Sequence, residues 1–269
     1  MTITLSINGV KVELDCRPHE SLRTVLRRAG YHSVRFGSET GETGAAAVLV
    51  DGALITSDLM LAAQADGHEI ETVEGLSSPG HLHPIQQAFI ETGAIQSGYS
   101  TPAMILAAKA LIGRNPNPTE DDVRDALSGI LDRETGYLRP VHAVLRAAAV
   151  MRGETPETVD TVFLDPITDV DNAGTPQSDL PAIAPRVVPS ADVPETRVVG
   201  KAETKVDAIK LVKGNPAFTD DVDLSDTLIA KVLYGNREIV RQDRHHRAVA
   251  PQTQPVGCCE YTAGHHQDQ

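Results

Sequence analysis

The segment GSETGETGAAAVLVDG, residues 37–52, is a glycine-rich loop followed by an apolar run and an Asp-Gly pair. Three glycines among its first eight residues are typical of a loop that bends tightly around a bound group. The apolar run and the Asp51-Gly52 pair predict a strand and a hairpin turn. The loop contains no Cys or His, so it resembles a metal-binding loop that lacks the usual soft ligands.

The sequence on both sides of this loop predicts a small mixed sheet with one helix. Residues 2–15 alternate between apolar and polar side chains, and Asn8-Gly9 divides them into two strands of a hairpin. Residues 21–30, SLRTVLRRAG, have helical spacing and end at a glycine. We therefore predict a first domain over residues 1–76.

Residues 77–153 predict four short helices. Thr101 and Pro102 are expected at the start of one helix, as N-cap and first residue. Thr119 and Asp122 predict a capping box at the start of another. Short connections between the helices favour a compact helical domain.

The remaining chain divides into three parts. Residues 154–196 contain seven prolines among polar residues and are interpreted as a linker. Residues 197–236 regain a regular pattern, whereas residues 237–269 have none and are expected to be an irregular tail. The tail pairs His245-His246, Cys258-Cys259 and His265-His266 match no zinc spacing, so no metal site is predicted there.

Composition excludes several classes of function. The formal charge of −13 argues against nucleic-acid binding, which requires basic side chains to neutralise phosphates. No apolar run reaches the roughly 18 residues of a membrane span. The N-terminus lacks the pattern of a signal peptide, so a cytoplasmic location is expected.

Two helical-domain motifs complete the pattern: QSGYSTPAMILAA at residues 96–108 and GILDRETGY at residues 129–137. Together with residues 37–52, they resemble the iron–sulfur subunit of molybdenum hydroxylases, the xanthine dehydrogenase and aldehyde oxidase family. The resemblance implies an α+β fold, with a β-grasp ferredoxin-like domain followed by a four-helix [2Fe–2S]-binding-type domain. It also implies a molybdenum-cofactor catalytic subunit as partner and, in the family, FAD on a further subunit.

The resemblance places cluster ligands at eight positions, none of which is a cysteine in this sequence. Each iron of a [2Fe–2S] cluster requires strong donors, which in this family are thiolates. We therefore expect the eight positions to be empty and predict no cofactor in this chain. The first set comprises Ser38, Thr43, Ala46 and Asp58, and the second comprises Ser97, Ser100, Asp132 and Glu134.

Two further features follow from the resemblance. Gln96 corresponds to a residue that faces the pterin of the partner subunit, although it is equally interpretable as a polar residue flanking a helix. Residues 197–236 resemble the opening segment of the molybdenum subunit. That likeness stops soon after Leu233, which suggests a truncated or frameshifted gene product.

The sequence predicts no catalytic residue and no complete active site, because the family's substrate site belongs to the molybdenum subunit. One hypothesis is a cluster-free subunit with a structural or docking role, or a truncated remnant of one. The alternative is an oxidoreductase subunit that carries electrons from a molybdenum-cofactor site through [2Fe–2S] clusters to a flavin subunit.

Overall fold

The computed structural model describes residues 1–156, 203–222, 229–232 and 259–262. Met1–Ala217 form one compact unit, and Phe218–Gln269 form a second. Residues 157–196 of the predicted linker and most of the predicted tail, including five of its six paired His and Cys residues, lie outside the described residues. The predicted domain boundaries stay predictions.

The first unit begins with a five-stranded mixed sheet. Its strands are β1 (Thr2–Ile7), β2 (Val10–Asp15), β3 (Ala47–Val50), β4 (Ala53–Thr56) and β5 (Glu69–Glu71). The order is β2-β1-β5-β3-β4, in which β1 and β5 are parallel and all other neighbours are antiparallel. Helix α1 (Leu22–Arg28) contributes buried apolar side chains to the same core as β1.

Both predicted hairpin turns are present. Asn8 and Gly9 have φ values of 52° and 79°, and Asp51 and Gly52 have values of 48° and 80°. Positive φ at both central residues matches the right-handed twist of the strands that each turn connects. The period-two pattern of β1 buries Ile3, Leu5 and Ile7.

Four helices follow, as predicted: α2 (Pro84–Glu91), α3 (Thr101–Arg114), α4 (Glu120–Leu127) and α5 (Leu138–Met151). The capping box of Thr119 and Asp122 is confirmed. The predicted N-cap of α3 is wrong by one residue, because Thr101 is already helical and Ser100 takes the cap position. The sheet with its helix, followed by four helices, confirms the α+β prediction.

Later parts of the chain also contain regular structure. Helix α6 (Ala208–Val212) belongs to the first unit. In the second unit, β6 (Ile229–Val232) pairs antiparallel with β7 (Cys259–Thr262). Strand β7 lies where we expected an irregular tail, because backbone pairing with β6 specifies a strand that no side-chain pattern indicates. No helix in the described parts of the chain has the length and apolarity that a membrane span requires.

Candidate functional site

The four positions of the second set lie together between two loops. Ser100 ends the loop before α3, and Glu134 begins a short 3₁₀ turn, Glu134–Gly136, before α5. Ser100 Oγ lies 2.7 Å from Asp132 Oδ2 and 2.8 Å from Glu134 Oε1. Ser97 Oγ donates to Glu134 Oε1 at 3.0 Å. The structure therefore brings the predicted second set together through hydrogen bonds.

Glu134 is the centre of this network and is 1% exposed. Its Oε2 accepts from the backbone N–H groups of Gln96 at 3.0 Å and Ser97 at 2.8 Å. Its Oε1 accepts from the Ser97 and Ser100 hydroxyls. A buried carboxylate is costly unless its oxygens are hydrogen-bonded, and here both oxygens have partners. The side chain thus ties the loop before α3 to the turn before α5.

The network has fewer hydroxyl protons than acceptor oxygens. The Ser100 hydroxyl has one proton and contacts two carboxylates, so it donates to only one of them at a time. The Ser97 hydroxyl donates to Glu134 and accepts from the Tyr99 backbone N–H at 3.1 Å. The result is a compact cluster of oxygen atoms held by shared hydrogen bonds.

The first set is arranged differently. The Asp58 side chain is 1% exposed and forms an ion pair with Arg23. Burial raises the pKa of the Asp58 carboxyl, and Arg23 partly opposes that shift. Ala46 is fully buried, and its carbonyl accepts from the Ser57 hydroxyl at 2.6 Å.

The remaining two positions of the first set, Ser38 and Thr43, lie in the glycine-rich loop. Within this loop, Gly37 packs against Thr43. A Cβ added to Gly37 would lie 1.8 Å from Thr43 Oγ1, so a larger residue cannot fit there. Thr43 Oγ1 is buried and has no hydrogen-bond partner among the described residues. The Thr40 hydroxyl, and to a smaller extent the Ser38 hydroxyl, lower the pKa of the Glu42 carboxyl. Within the described chain, hydrogen bonds do not join the four side chains of the first set to one another.

The two sets lie on adjoining segments. The Leu131 backbone N–H donates to the Thr43 carbonyl at 3.0 Å, next to Asp132 in the chain. A Cβ added to Gly44, whose φ is +62°, would lie 2.2 Å from the Gly129 carbonyl oxygen. Glycine at position 44 therefore allows the loop of the first set to contact the segment that carries the second.

Sequence reasoning missed Arg23 and Ser57. Arg23 pairs with Asp58, and its guanidinium lies 4.6 Å from the centroid of the Phe36 ring. A basic residue in a short amphipathic helix has the same pattern as a solvated surface residue, so the sequence contains no signal for this pair. Gln96 is exposed, and the network uses its backbone N–H; its predicted role toward a partner stays a prediction.

Comparison with known proteins identifies the family. The model of the [2Fe-2S] binding domain matches residues 72–145. The small FeS subunit of nicotinate dehydrogenase from Eubacterium barkeri is 44% identical over 149 residues, which are 55% of this chain and 94% of that subunit. This chain belongs to the molybdenum hydroxylase family. Its first part corresponds to the family's iron–sulfur subunit, as the sequence resemblance indicated.

Longer relatives match more of the chain. The probable hypoxanthine oxidase XdhD of Escherichia coli (strain K12) is 30% identical over 234 residues, which are 87% of this chain and 22% of that protein. The crystal structure of the aldehyde oxidoreductase from Desulfovibrio desulfuricans ATCC 27774 has a TM-score of 0.67 at 31% identity, covering 86% of this chain and 23% of that one. The chain thus spans nearly all of a molybdenum hydroxylase small subunit but less than a quarter of these longer proteins.

These matches correct the cofactor prediction. The matched model is that of a [2Fe–2S] binding domain, and the most extensively covered of these relatives is named an FeS subunit. The prediction that this chain has no cofactor is therefore wrong: [2Fe–2S] is the cofactor of this domain type. The prediction rested on missing thiolates alone and gave too little weight to the rest of the domain sequence, which matches the family model over residues 72–145.

The side chains of the second set do not fit a thiolate-held cluster. Its donors are two hydroxyls and two carboxylates, which are hard oxygen ligands, whereas iron–sulfur clusters are held mainly by soft thiolates. Both Glu134 oxygens already accept hydrogen bonds. In the described part of the chain, no three His, Cys, Asp or Glu side chains are grouped as a metal site. These residues support hydrogen bonding and ion pairing.

Proposed function

We propose that this chain is a docking subunit of a molybdenum hydroxylase, which binds the molybdenum-cofactor subunit through the helical domain. In this proposal, the side chains of the second set hold the loop before α3 in a fixed conformation. The observation that carries the proposal is the network at Glu134, which fixes the loop at residues 96–100 without thiolates.

The geometry of that loop supports a role in docking. The backbone N–H of Gln96 donates to Glu134, whereas the residue as a whole is exposed. A loop whose backbone is already fixed loses little backbone freedom when a partner binds, which favours recognition. We therefore assign Gln96 to the surface that meets the molybdenum subunit.

The test is purification of the tagged full chain from its own organism. The docking proposal predicts that a second polypeptide copurifies and that mass spectrometry identifies it as a molybdenum-cofactor subunit. Gln96→Ala should reduce its recovery severalfold. Gln87→Ala is the matched control, because Gln87 is also exposed but bonds to Glu91 on its own helix.

Equal recovery with both variants would contradict the role of Gln96. Recovery of the chain without a molybdenum subunit would contradict the docking proposal as a whole.

The second candidate function is electron transfer from a molybdenum-cofactor site through [2Fe–2S] clusters to a flavin subunit. The match of residues 72–145 to the [2Fe-2S] binding domain favours it. It predicts stoichiometric iron and acid-labile sulfide in anaerobically purified protein, with a visible absorbance that dithionite bleaches. Protein that lacks iron and sulfide when freshly prepared from its own organism would contradict this candidate.

A further inference from the structure

Residues 203–217, here called the strap, follow the predicted linker and pack within the first unit. Helix α6 of the strap has two distinct faces. Ala208, Leu211 and Val212 are at most 1% exposed, whereas Ile209 is 56% exposed. The buried face packs on α2 and α3 of the helical domain.

The surface that receives the strap is defined by Val73, Gln86 and Gly98 and is called the strap site. Gln86 is fully buried, and its Nε2 donates to the Val212 carbonyl at 2.8 Å and to the Val73 carbonyl at 3.3 Å. A Cβ added to Gly98 would lie 2.5 Å from Leu211 Cδ1, so Leu211 occupies the space that glycine leaves. The strap site thus contacts both the Val212 backbone carbonyl and the Leu211 side chain.

The end of the strap fits the site equally closely. Gly214 has φ +73°, and a Cβ there would lie 2.7 Å from Ser33 Cβ and 2.8 Å from Val73 Cγ1. Only glycine combines this backbone conformation with this approach. The recognised pattern is therefore Ala-x-x-Leu-Val-x-Gly at positions 208–214.

Helix α6 is too short to be stable alone. It has five residues and no side-chain hydrogen bond at its N-cap, Asp207. Isolated helices shorter than about 12 residues are marginal in water. Its conformation therefore depends on the strap site.

We propose that the strap site is a separable peptide-binding site, occupied non-covalently by the chain's own residues 203–217, and that it accepts the same segment in trans. Because the occupant is tethered, it competes with a free peptide at a high effective concentration. The site is thus closed in the intact chain and opens when the contact of Leu211 is lost. This inference rests on the packing of residues 203–217, whereas the proposed docking function rests on the network at Glu134.

The test uses a fluorescent synthetic peptide of residues 203–217 and the full chain. Leu211→Asp places a charge in the buried contact and should release the tethered strap. The peptide should then bind this variant, and its fluorescence anisotropy should rise to a plateau as the protein concentration increases. Wild type should bind at least roughly tenfold more weakly, because its own strap fills the site. Ile209→Asp is the matched control, since the same charge on the exposed face should leave the site filled.

A second measurement covers the case in which Leu211→Asp disturbs the fold, which circular dichroism detects. A protease site is placed between residues 157 and 202 of otherwise wild-type chain, and the cut protein is applied to a sizing column. The two fragments should elute together. The proposal is overturned if they separate, if the peptide binds no variant of a folded chain, or if it binds Ile209→Asp as tightly as Leu211→Asp.

Discussion

At the scale of single residues, Glu134 has the most partners within the second set. Two backbone N–H groups and two hydroxyls donate to its carboxylate, which is buried. In the first set, Asp58 is buried and forms an ion pair with Arg23. An acidic side chain is thus buried in each set, with hydrogen-bond donors around it in the second set and an ion pair in the first.

Replacing Glu134 by Gln should destabilise the protein by about 2 kcal/mol, because an amide nitrogen would face hydrogen-bond donors in a buried site. The free energy of unfolding in urea measures the effect. Glu120→Gln is the control. Glu120 is exposed and pairs with Arg124 one turn away, so its loss should cost less than about 0.5 kcal/mol. Similar losses in both variants would contradict the role given to Glu134.

Asp58 should give the fold an unusual pH dependence. Burial raises its pKa in the folded state, so folding favours the protonated carboxyl. The stability that it contributes is complete below its ordinary pKa of 3.8 and is lost as the pH rises through the raised value. Asp58→Asn should therefore gain stability relative to wild type across that rise, measured by urea unfolding at successive pH values.

Asp122→Asn is the control of opposite sign. The Thr119 backbone N–H, and then its hydroxyl, lower the pKa of Asp122. The stability that Asp122 contributes is present above pH 3.8 and is lost as the pH falls through the lowered pKa. This variant should therefore lose stability relative to wild type as the pH rises. The free energy of unfolding of each variant relative to wild type should change with pH in opposite directions. A change in the same direction for both would contradict the environment described for Asp58.

At the scale of structural elements, the glycine-rich loop connects the sheet to the helical domain. Its contact with residues 129–131 relies on a hydrogen bond from Leu131 to Thr43 and on the absence of a side chain at Gly44. The loop therefore has a packing role between the sheet and the helical domain.

Gly44→Ala should test that contact against Gly52→Ala. Both glycines have positive φ, at +62° and +80°, so each substitution introduces a similar backbone strain of about 1–2 kcal/mol. Only at Gly44 would the new methyl group meet a neighbour, the Gly129 carbonyl. We expect Gly44→Ala to cost about 1–3 kcal/mol more in urea unfolding. Equal costs would mean that the loop does not pack as described.

At the scale of the whole molecule, the sequence predicted what depends on local pattern. The hairpin at Asn8-Gly9 and the capping box at Thr119 follow from residues that are close in the chain, and both are confirmed. The strap and the pair of Arg23 with Asp58 were not predicted. They depend on complementary shapes and charges that only the fold brings together, and a buried Gln86 has no distinctive sequence pattern.

Membership of the molybdenum hydroxylase family gives the whole chain its expected context, an assembly with a molybdenum-cofactor subunit. The most direct test of that claim is the molar ratio of molybdenum to chain in tagged protein that is purified from its own organism. Inductively coupled plasma mass spectrometry measures the molybdenum. The docking account predicts stoichiometric molybdenum that washes away with the partner subunit under denaturing conditions. A pure, folded chain that carries no molybdenum when isolated from cells that make a molybdenum subunit would contradict it.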